Sequence, residues 1–222
     1  MAAEEATIIR AGCEEIAALA LAPAPRQPGK RAFDIVVTSI LLLLLSPLLA
    51  VTALVVLVAD GRPILYRQRR VGLDGRQFTM LKFRSMRVGS DVQQVALAHT
   101  ANSNGLLFKV DNDPRVTTVG RWIRRTSIDE LPQLWNVLRG DMSLVGPRPL
   151  PVDPSAFGPL DGARHVVRPG ITGLWQIKGR ERQDYDQMVE LDLEYLGTWS
   201  LYDDASILVR TVPALFRRAG PV

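Results

Sequence analysis

Hydrophobic positions in this chain fall into one long block and several short periodic runs. The block, Ile35–Ala59, reads IVVTSILLLLLSPLLAVTALVVLVA, 25 residues without a formal charge. As a helix it is long enough to cross a hydrocarbon core of roughly 30 Å. A Ser46-Pro47 pair interrupts its middle. Proline there removes one backbone donor and crowds the carbonyl four residues earlier. The segment therefore predicts either a kinked span or two half-helices that enter the membrane and turn back. The polar, basic protein that follows must work at a membrane surface.

Shorter patterns outline the rest. Residues 1–29 read as a tail, with an alanine-rich stretch of helical potential (Glu4–Leu21) and a stiff linker containing Pro23, Pro25 and Pro28. Residues 30–60 form the membrane segment and 61–222 a cytoplasmic domain. Pro63–Tyr66 predicts a short strand and Gly72–Gly75 a turn. Gln77–Phe83 alternates enough to pair with that strand as a hairpin. Residues 88–105 are polar and irregular, read as a helix and then a loop. Asp113-Pro114 marks a turn. Val116–Arg125 predicts a short helix, and Leu131–Leu138 a stronger one ended by Gly140. Pro147, Pro149, Pro151 and Pro154 keep the chain extended, Arg168–Gly173 turns, and Leu174–Ile177 reads as a strand. Tyr185–Leu196 has helical spacing, and Leu201–Arg218 is a last amphipathic segment. The fold class is α+β, mainly α-helical: one broken, re-entrant membrane helix, then a catalytic domain with a small β-hairpin and interfacial amphipathic helices.

Charge changes the picture in one respect. Of 222 residues, 27 are basic and 23 acidic, and the excess clusters just after the apolar block, from Arg62 to Arg87. Lys30 and Arg31 precede the block. Positive charge near a membrane segment marks its cytoplasmic side, and here both flanks are basic, which favours a re-entrant loop over a span. The N-terminus opens with Glu4 and Glu5 and is not a signal peptide. Cys13 is the single cysteine, so no intrachain disulfide forms, and one cysteine with two histidines is a poor ligand set for zinc. Nucleic-acid binding is a poor fit, because aromatic residues are only 6% and the basic residues hug the membrane segment.

Four constellations carry candidate chemistry. In Thr126-Ser-Ile-Asp-Glu-Leu-Pro132, Ser127 and Glu130 have capping-box spacing and Asp129 is itself a good N-cap. The same adjacent carboxylates suit an attack on phosphorus by one and the holding of a divalent metal by the other. Gly146-Pro-Arg-Pro149 is either a surface turn with an incidental arginine or a loop whose prolines preset Arg148 for phosphate. Lys82-Phe-Arg84, with Met86 and Arg87, is either a patch for anionic headgroups or a phosphate clamp. Arg168-Pro-Gly-Ile-Thr-Gly173 places glycines beside basic residues, where backbone N–H groups can approach a phosphate.

In this order the pieces resemble the bacterial sugar transferases, the small monotopic phosphoglycosyl transferases. The matching stretches are Lys30-Arg-Ala-Phe-Asp34, the Ser46-Pro47 break, Tyr66-Arg-Gln-Arg-Arg-Val-Gly72 and Phe78–Met86. They continue with Thr126–Asn136, Gly140-Asp-Met-Ser-Leu-Val-Gly-Pro-Arg-Pro149 and Arg168–Gln176. The resemblance implies transfer of a phosphosugar from a UDP-sugar to polyprenyl (undecaprenyl) phosphate, on the cytoplasmic face of a bacterial inner membrane, as the first membrane step of exopolysaccharide or other glycan assembly. It implies Mg²⁺ dependence, Asp129 as the nucleophile that forms a covalent phosphosugar intermediate, and Glu130 with Asp129 at the metal. Lys82, Arg84, Arg148 and Arg168 are the phosphate-binding candidates, and the stretch 153–167, with Asp153, Ser155 and Arg164, is the candidate for sugar contacts. UDP-glucose or UDP-galactose is the first donor to consider, membrane lipid is a partner, and an interfacial homodimer stays open. The alternative is a non-catalytic membrane-anchored scaffold for glycan enzymes, against which the intact Asp129-Glu130 pair argues.

Overall fold

A computed structural model describes residues 27–90, 113–150, 161–178 and 185–217. The alanine-rich stretch, most of 88–105, Pro151, Pro154, Asp153 and Ser155 lie outside them. The apolar block forms a single helix, α1 (Lys30–Asp60), with Pro47 inside it. Proline 47 has no N–H to offer the Leu43 carbonyl four residues back. The neighbouring Ser46 hydroxyl donates to that carbonyl instead, at 2.8 Å. The Ser-Pro pair thus removes one hydrogen bond and supplies its substitute.

Both ends of α1 are held by the same folded domain, while Leu43, Leu44, Val51 and other apolar side chains of its length are exposed. At the start, Lys30 Nζ donates to Asp204 Oδ2 at 2.7 Å and to the Val145 carbonyl at 3.0 Å. Arg31 donates to the Val137 and Leu138 carbonyls at 2.6 and 2.8 Å, and the Leu144 N–H donates to Asp34 at 3.1 Å. At the far end, Thr117 donates to Asp60 at 2.8 Å, and Arg84 Nη2 donates to the Asp60 and Gly61 carbonyls at 2.5 and 2.9 Å. Lys30 and Arg31, read from sequence as headgroup-side charge, are spent on protein partners.

The hairpin of β1 (Leu65–Val71) and β2 (Gln77–Phe83) is antiparallel, in register from Leu65 opposite Phe83 to Val71 opposite Gln77. It is longer than the strand expected at Pro63–Tyr66. Helix α2 (Thr118–Arg125) is capped by the Thr117 hydroxyl, which accepts from the Gly120 N–H at 2.8 Å. A 3₁₀ turn, Ile128–Glu130, leads into α3 (Gln133–Arg139), which Gly140 ends in the left-handed conformation, as expected. Strand β3 (Ser143–Val145) then pairs in parallel with β4 (Gly170–Thr172). Between them comes the one-turn helix α4 (Asp161–Arg164). Leu174–Ile177, read as a strand, lies in helix α5 (Leu174–Lys178), and the strand sits four residues earlier. A four-residue apolar run carries no period that separates strand from helix, and the backbone decides it: a Cβ on Gly170 would stand 2.1 Å from the nitrogen of Gly146, the residue just past β3, so only glycine fits where β4 passes it. Helices α6 (Tyr185–Thr198) and α7 (Leu201–Arg217) close the fold.

The larger core gathers Met80, Leu134, Val137, Met142, Leu144, Val145, Tyr195 and Ile207, with the start of α1 packed on it. Inside it lies an ionic network: buried Asp204 accepts from Lys30, from the Tyr195 hydroxyl at 2.8 Å and from the Trp199 indole at 3.2 Å. A carboxylate removed from water needs such partners, and these join α1, α6 and α7 behind β3. A smaller cluster of Val56, Phe83 and Ile123 seats the end of α1.

Candidate active site

Asp129 and Glu130 sit on the 3₁₀ turn, and the residue that aims it is Ser127, at φ 56° and ψ 18°. A non-glycine residue in this left-handed region is uncommon and costs about 1 kcal/mol or more. The conformation reverses the chain between α2 and the turn. It also overturns the capping box: Ser127 makes no side-chain cap bond, and Glu130 reaches outward instead. Glu130 Oε1 accepts from Lys82 Nζ at 2.9 Å and from Arg148 Nη2 at 3.2 Å. Asp129 beside it is 8% exposed.

Lys82 and Arg148 arrive from different parts of the fold. Lys82 is on β2, and β2 is fixed by Asn136 of α3. The Asn136 amide donates to the Thr79 carbonyl at 2.7 Å and accepts from the Leu81 N–H at 3.0 Å. One side chain thus serves two groups on the strand's outer edge as a neighbouring strand would. Arg148 lies in the loop after β3. Pro147 and Pro149 have no N–H, so this loop is held by its carbonyls. Four in succession accept: Pro147 from the Gly170 N–H at 2.9 Å, Arg148 from Arg164 at 3.1 Å, Pro149 from Arg70 at 2.9 Å and Leu150 from the Val71 N–H at 3.3 Å. Arg70 also binds Gln68. Burial, with the nearby Arg148 charge, lowers its guanidinium to about 10.

The other expected residues stand elsewhere. Arg84 is 5% exposed beside the end of α1, and its Nε and Nη1 have no hydrogen-bond partner among the described residues. Arg168 donates from Nε to the Gly140 carbonyl at 2.8 Å, serving the end of α3. It lines a polar cavity of about 270 Å³ with Lys30, Arg31, Asp34 and Tyr195. Arg164, a candidate for sugar contact, is 2% exposed and tied to Asp192. Sequence reasoning missed Asn136, Arg70 and the role of Arg164. Asn136 and Arg70 lie inside motifs quoted for other residues, and only the fold shows which carbonyls they serve.

A groove of about 1130 Å³ runs between α1 and the hairpin, floored by Leu42, Leu49, Ala53, Leu81 and Phe83. Arg62, Arg67 and Arg84 add positive charge to it, and it reaches Pro132 and Trp135 on the segment that follows Glu130.

A profile of the family described as "Bacterial sugar transferase" matches residues 25–218. The chain belongs to the bacterial sugar transferase family. Galactosyl transferase CpsE of Streptococcus agalactiae serotype III is 43% identical over 195 residues, covering 86% of this chain and 43% of that protein. Undecaprenyl-phosphate galactose phosphotransferase of Salmonella typhimurium is 45% identical over 196 residues, 86% of this chain and 41% of its own length. This bacterial sugar transferase therefore spans less than half of those two relatives. It matches most of a third, the exopolysaccharide production protein ExoY of Rhizobium meliloti: 41% identity over 197 residues, 86% of this chain and 87% of that one.

Proposed function

We propose that this chain is a phosphoglycosyl transferase. It moves a sugar phosphate from a UDP-sugar to undecaprenyl phosphate at the cytoplasmic surface of a bacterial inner membrane. The observation that carries this reading is the carboxylate pair with two cations converging on Glu130, placed where an apolar, arginine-bearing groove ends. A soluble, doubly charged diphosphate and a long-chain lipid phosphate need this combination.

The reaction runs in two displacements. An Asp129 carboxylate oxygen attacks the sugar-bearing phosphorus, the bond from that phosphorus to the UMP oxygen breaks, and UMP leaves with the electron pair. An oxygen of undecaprenyl phosphate then attacks the same phosphorus and breaks its bond to Asp129. The carboxylate is regenerated, and the product is the lipid diphosphate sugar. Lys82 and Arg148 face the charge that develops on the transferred phosphoryl group. The groove takes the isoprenoid chain, and the arginines that line it, Arg62, Arg67 and Arg84, suit its phosphate.

Magnesium fits this donor set. No cluster of three or more ligating side chains occurs among the described residues. Mg²⁺ usually takes one or two carboxylates and completes its shell with phosphate oxygens and water. Asp129 and Glu130 would hold it, and when bound it neutralises diphosphate charge.

The seating of α1 supports the re-entrant topology. A straight helix of 31 residues is about 46 Å long, yet Lys30 at one end and Asp60 at the other bind one small domain. A spanning helix would separate those partners by the bilayer. Half-exposed Trp122 and Trp135, with Tyr202 and Val209 of α7, suit the headgroup layer. The names of the two partial relatives make UDP-galactose the first donor to test. The test is UMP release from a panel of UDP-sugars by the purified chain in nanodiscs with undecaprenyl phosphate. Asp129→Asn should abolish release and leave membrane association intact; near-normal turnover by that variant removes Asp129 as nucleophile, and silence across the panel favours the scaffold.

A further inference from the structure

We infer that Arg164, braced by Asp192, is a positioning residue that holds Arg148 in the geometry in which its guanidinium meets Glu130. The inference rests on the proposed role of the Glu130 site. Arg164 donates from Nε and Nη2 to Asp192 Oδ2 at 2.8 and 2.6 Å, and the same Nη2 donates to the Arg148 carbonyl at 3.1 Å. Both side chains of the pair are 1% exposed, so neither meets a substrate. An isolated buried ion pair is a poor source of stability, since desolvating both charges offsets most of their attraction. This pair does something else. It fixes a guanidinium fork under the one carbonyl between two prolines, where no N–H of residue 147 or 149 can hold the loop.

The chain of contacts runs from α6, which carries Asp192, through Arg164 to the Arg148 backbone, and from the Arg148 side chain to Glu130. Burial pushes the Asp192 carboxyl up to about 6 against the pull of Arg164, so the pair depends on close geometry. Arginine is the residue for this task because its planar fork can serve a carboxylate and a carbonyl together, which a lysine ammonium does less well.

The test separates positioning from simple structure. The double variant Arg164→Met with Asp192→Leu removes both charges at once, a change that leaves stability near neutral, whereas removing one partner strands a buried charge. In nanodiscs its melting temperature should stay within a few degrees of the parent. Its kcat for UMP release should fall at least tenfold, with donor KM within threefold, because the loss falls on transition-state charge rather than binding. A stable double variant with parental kcat overturns the inference. If that variant does not fold, Arg164→Lys is compared in the parental and Arg148→Ala backgrounds. A loss in the first and none in the second supports action through Arg148, and equal losses in both overturn it. Arg148→Ala alone tells the two readings apart: unchanged turnover there removes Arg148 from the reaction and this inference with it. A slow Arg148→Ala beside a normal pair variant removes the inference alone. Amide exchange over residues 143–150 is the readout that needs no turnover. Exchange should quicken in both Arg164 variants, and unchanged protection counts against the brace.

Discussion

Asn136→Ala offers the sharpest test of how the site is assembled. Asn136 is fully buried, and its amide makes the hydrogen bonds to Thr79 and Leu81 that a strand would otherwise supply, plus one to Asp141 Oδ2 at 3.1 Å. Alanine leaves the Leu81 N–H and the Thr79 carbonyl without their partner. A stranded group costs about 1–3 kcal/mol when fully buried, and the part-buried setting of these two puts each in the lower half of that range. Taking about 1.5 kcal/mol for each gives about 3 kcal/mol. For a domain of this size, 1 kcal/mol moves the melting temperature by about 2–4 °C, so the expected drop is about 6–12 °C. Tryptophan fluorescence of nanodisc-embedded protein reads it. Turnover of the still-folded protein should also fall, because Lys82 is carried on the strand that Asn136 holds. A melting shift under 2 °C would refute the reasoning, since it would mean that solvent or a shifted α3 satisfies both groups.

Lys30→Met strands Asp204 in the core without its cation, which should cost about 3–5 kcal/mol; a melting temperature within 3 °C of the parent contradicts this. Chelation by EDTA should stop UMP release and Mg²⁺ should restore it, whereas a chelated preparation with parental turnover removes the metal from the proposal. His165 is held neutral by burial and by the neighbouring Arg164 charge, with its pKa lowered from 6.5 to about 4. The unfolded chain therefore binds a proton that the folded chain refuses, so this contribution, about 2–3 kcal/mol, is present above pH 6.5 and lost as pH falls toward 4. Acid melts of His165→Asn should show a shallower loss over that window, and identical profiles dismiss the claim.

Much of this architecture was legible in the sequence because it follows from strong local rules. The helical character of the apolar block, the hairpin ending at Phe83, the helix ended by Gly140 and the α6 periodicity all came through as expected. The failures share a cause. Leu174–Ile177 was misread because four residues cannot show a period, and the capping box at Ser127 failed because tertiary contacts with Lys82 and Arg148 compete for Glu130. The convergence of residues 82, 130 and 148 was legible only as separate motifs. The division of labour among arginines was not legible at all. Arg31, Arg84 and Arg168 serve backbone carbonyls at helix ends, Arg164 serves a loop carbonyl, and Arg148 alone of these reaches Glu130. Composition counts all of them as positive charge, whereas a guanidinium beside a helix C-terminus acts as a cap, satisfying carbonyls that the helix leaves open.

That division bears on how the reaction is kept at the membrane. In the reaction we propose, the acceptor's phosphate sits at a fixed depth, so the carboxylate pair must be held at a fixed depth as well. Helix α1 sets it twice, through Lys30 and Arg31 at one end and through Asp60 and Arg84 at the other. An anchor joined to the domain at one end only would let the pair swing by the length of its linker. With two attachments, tilting the domain requires breaking a buried ion pair or uncapping a helix, each costing several times thermal energy. In the reaction proposed above, the helix is a gauge for the height of Asp129 above the lipid tails as well as an anchor.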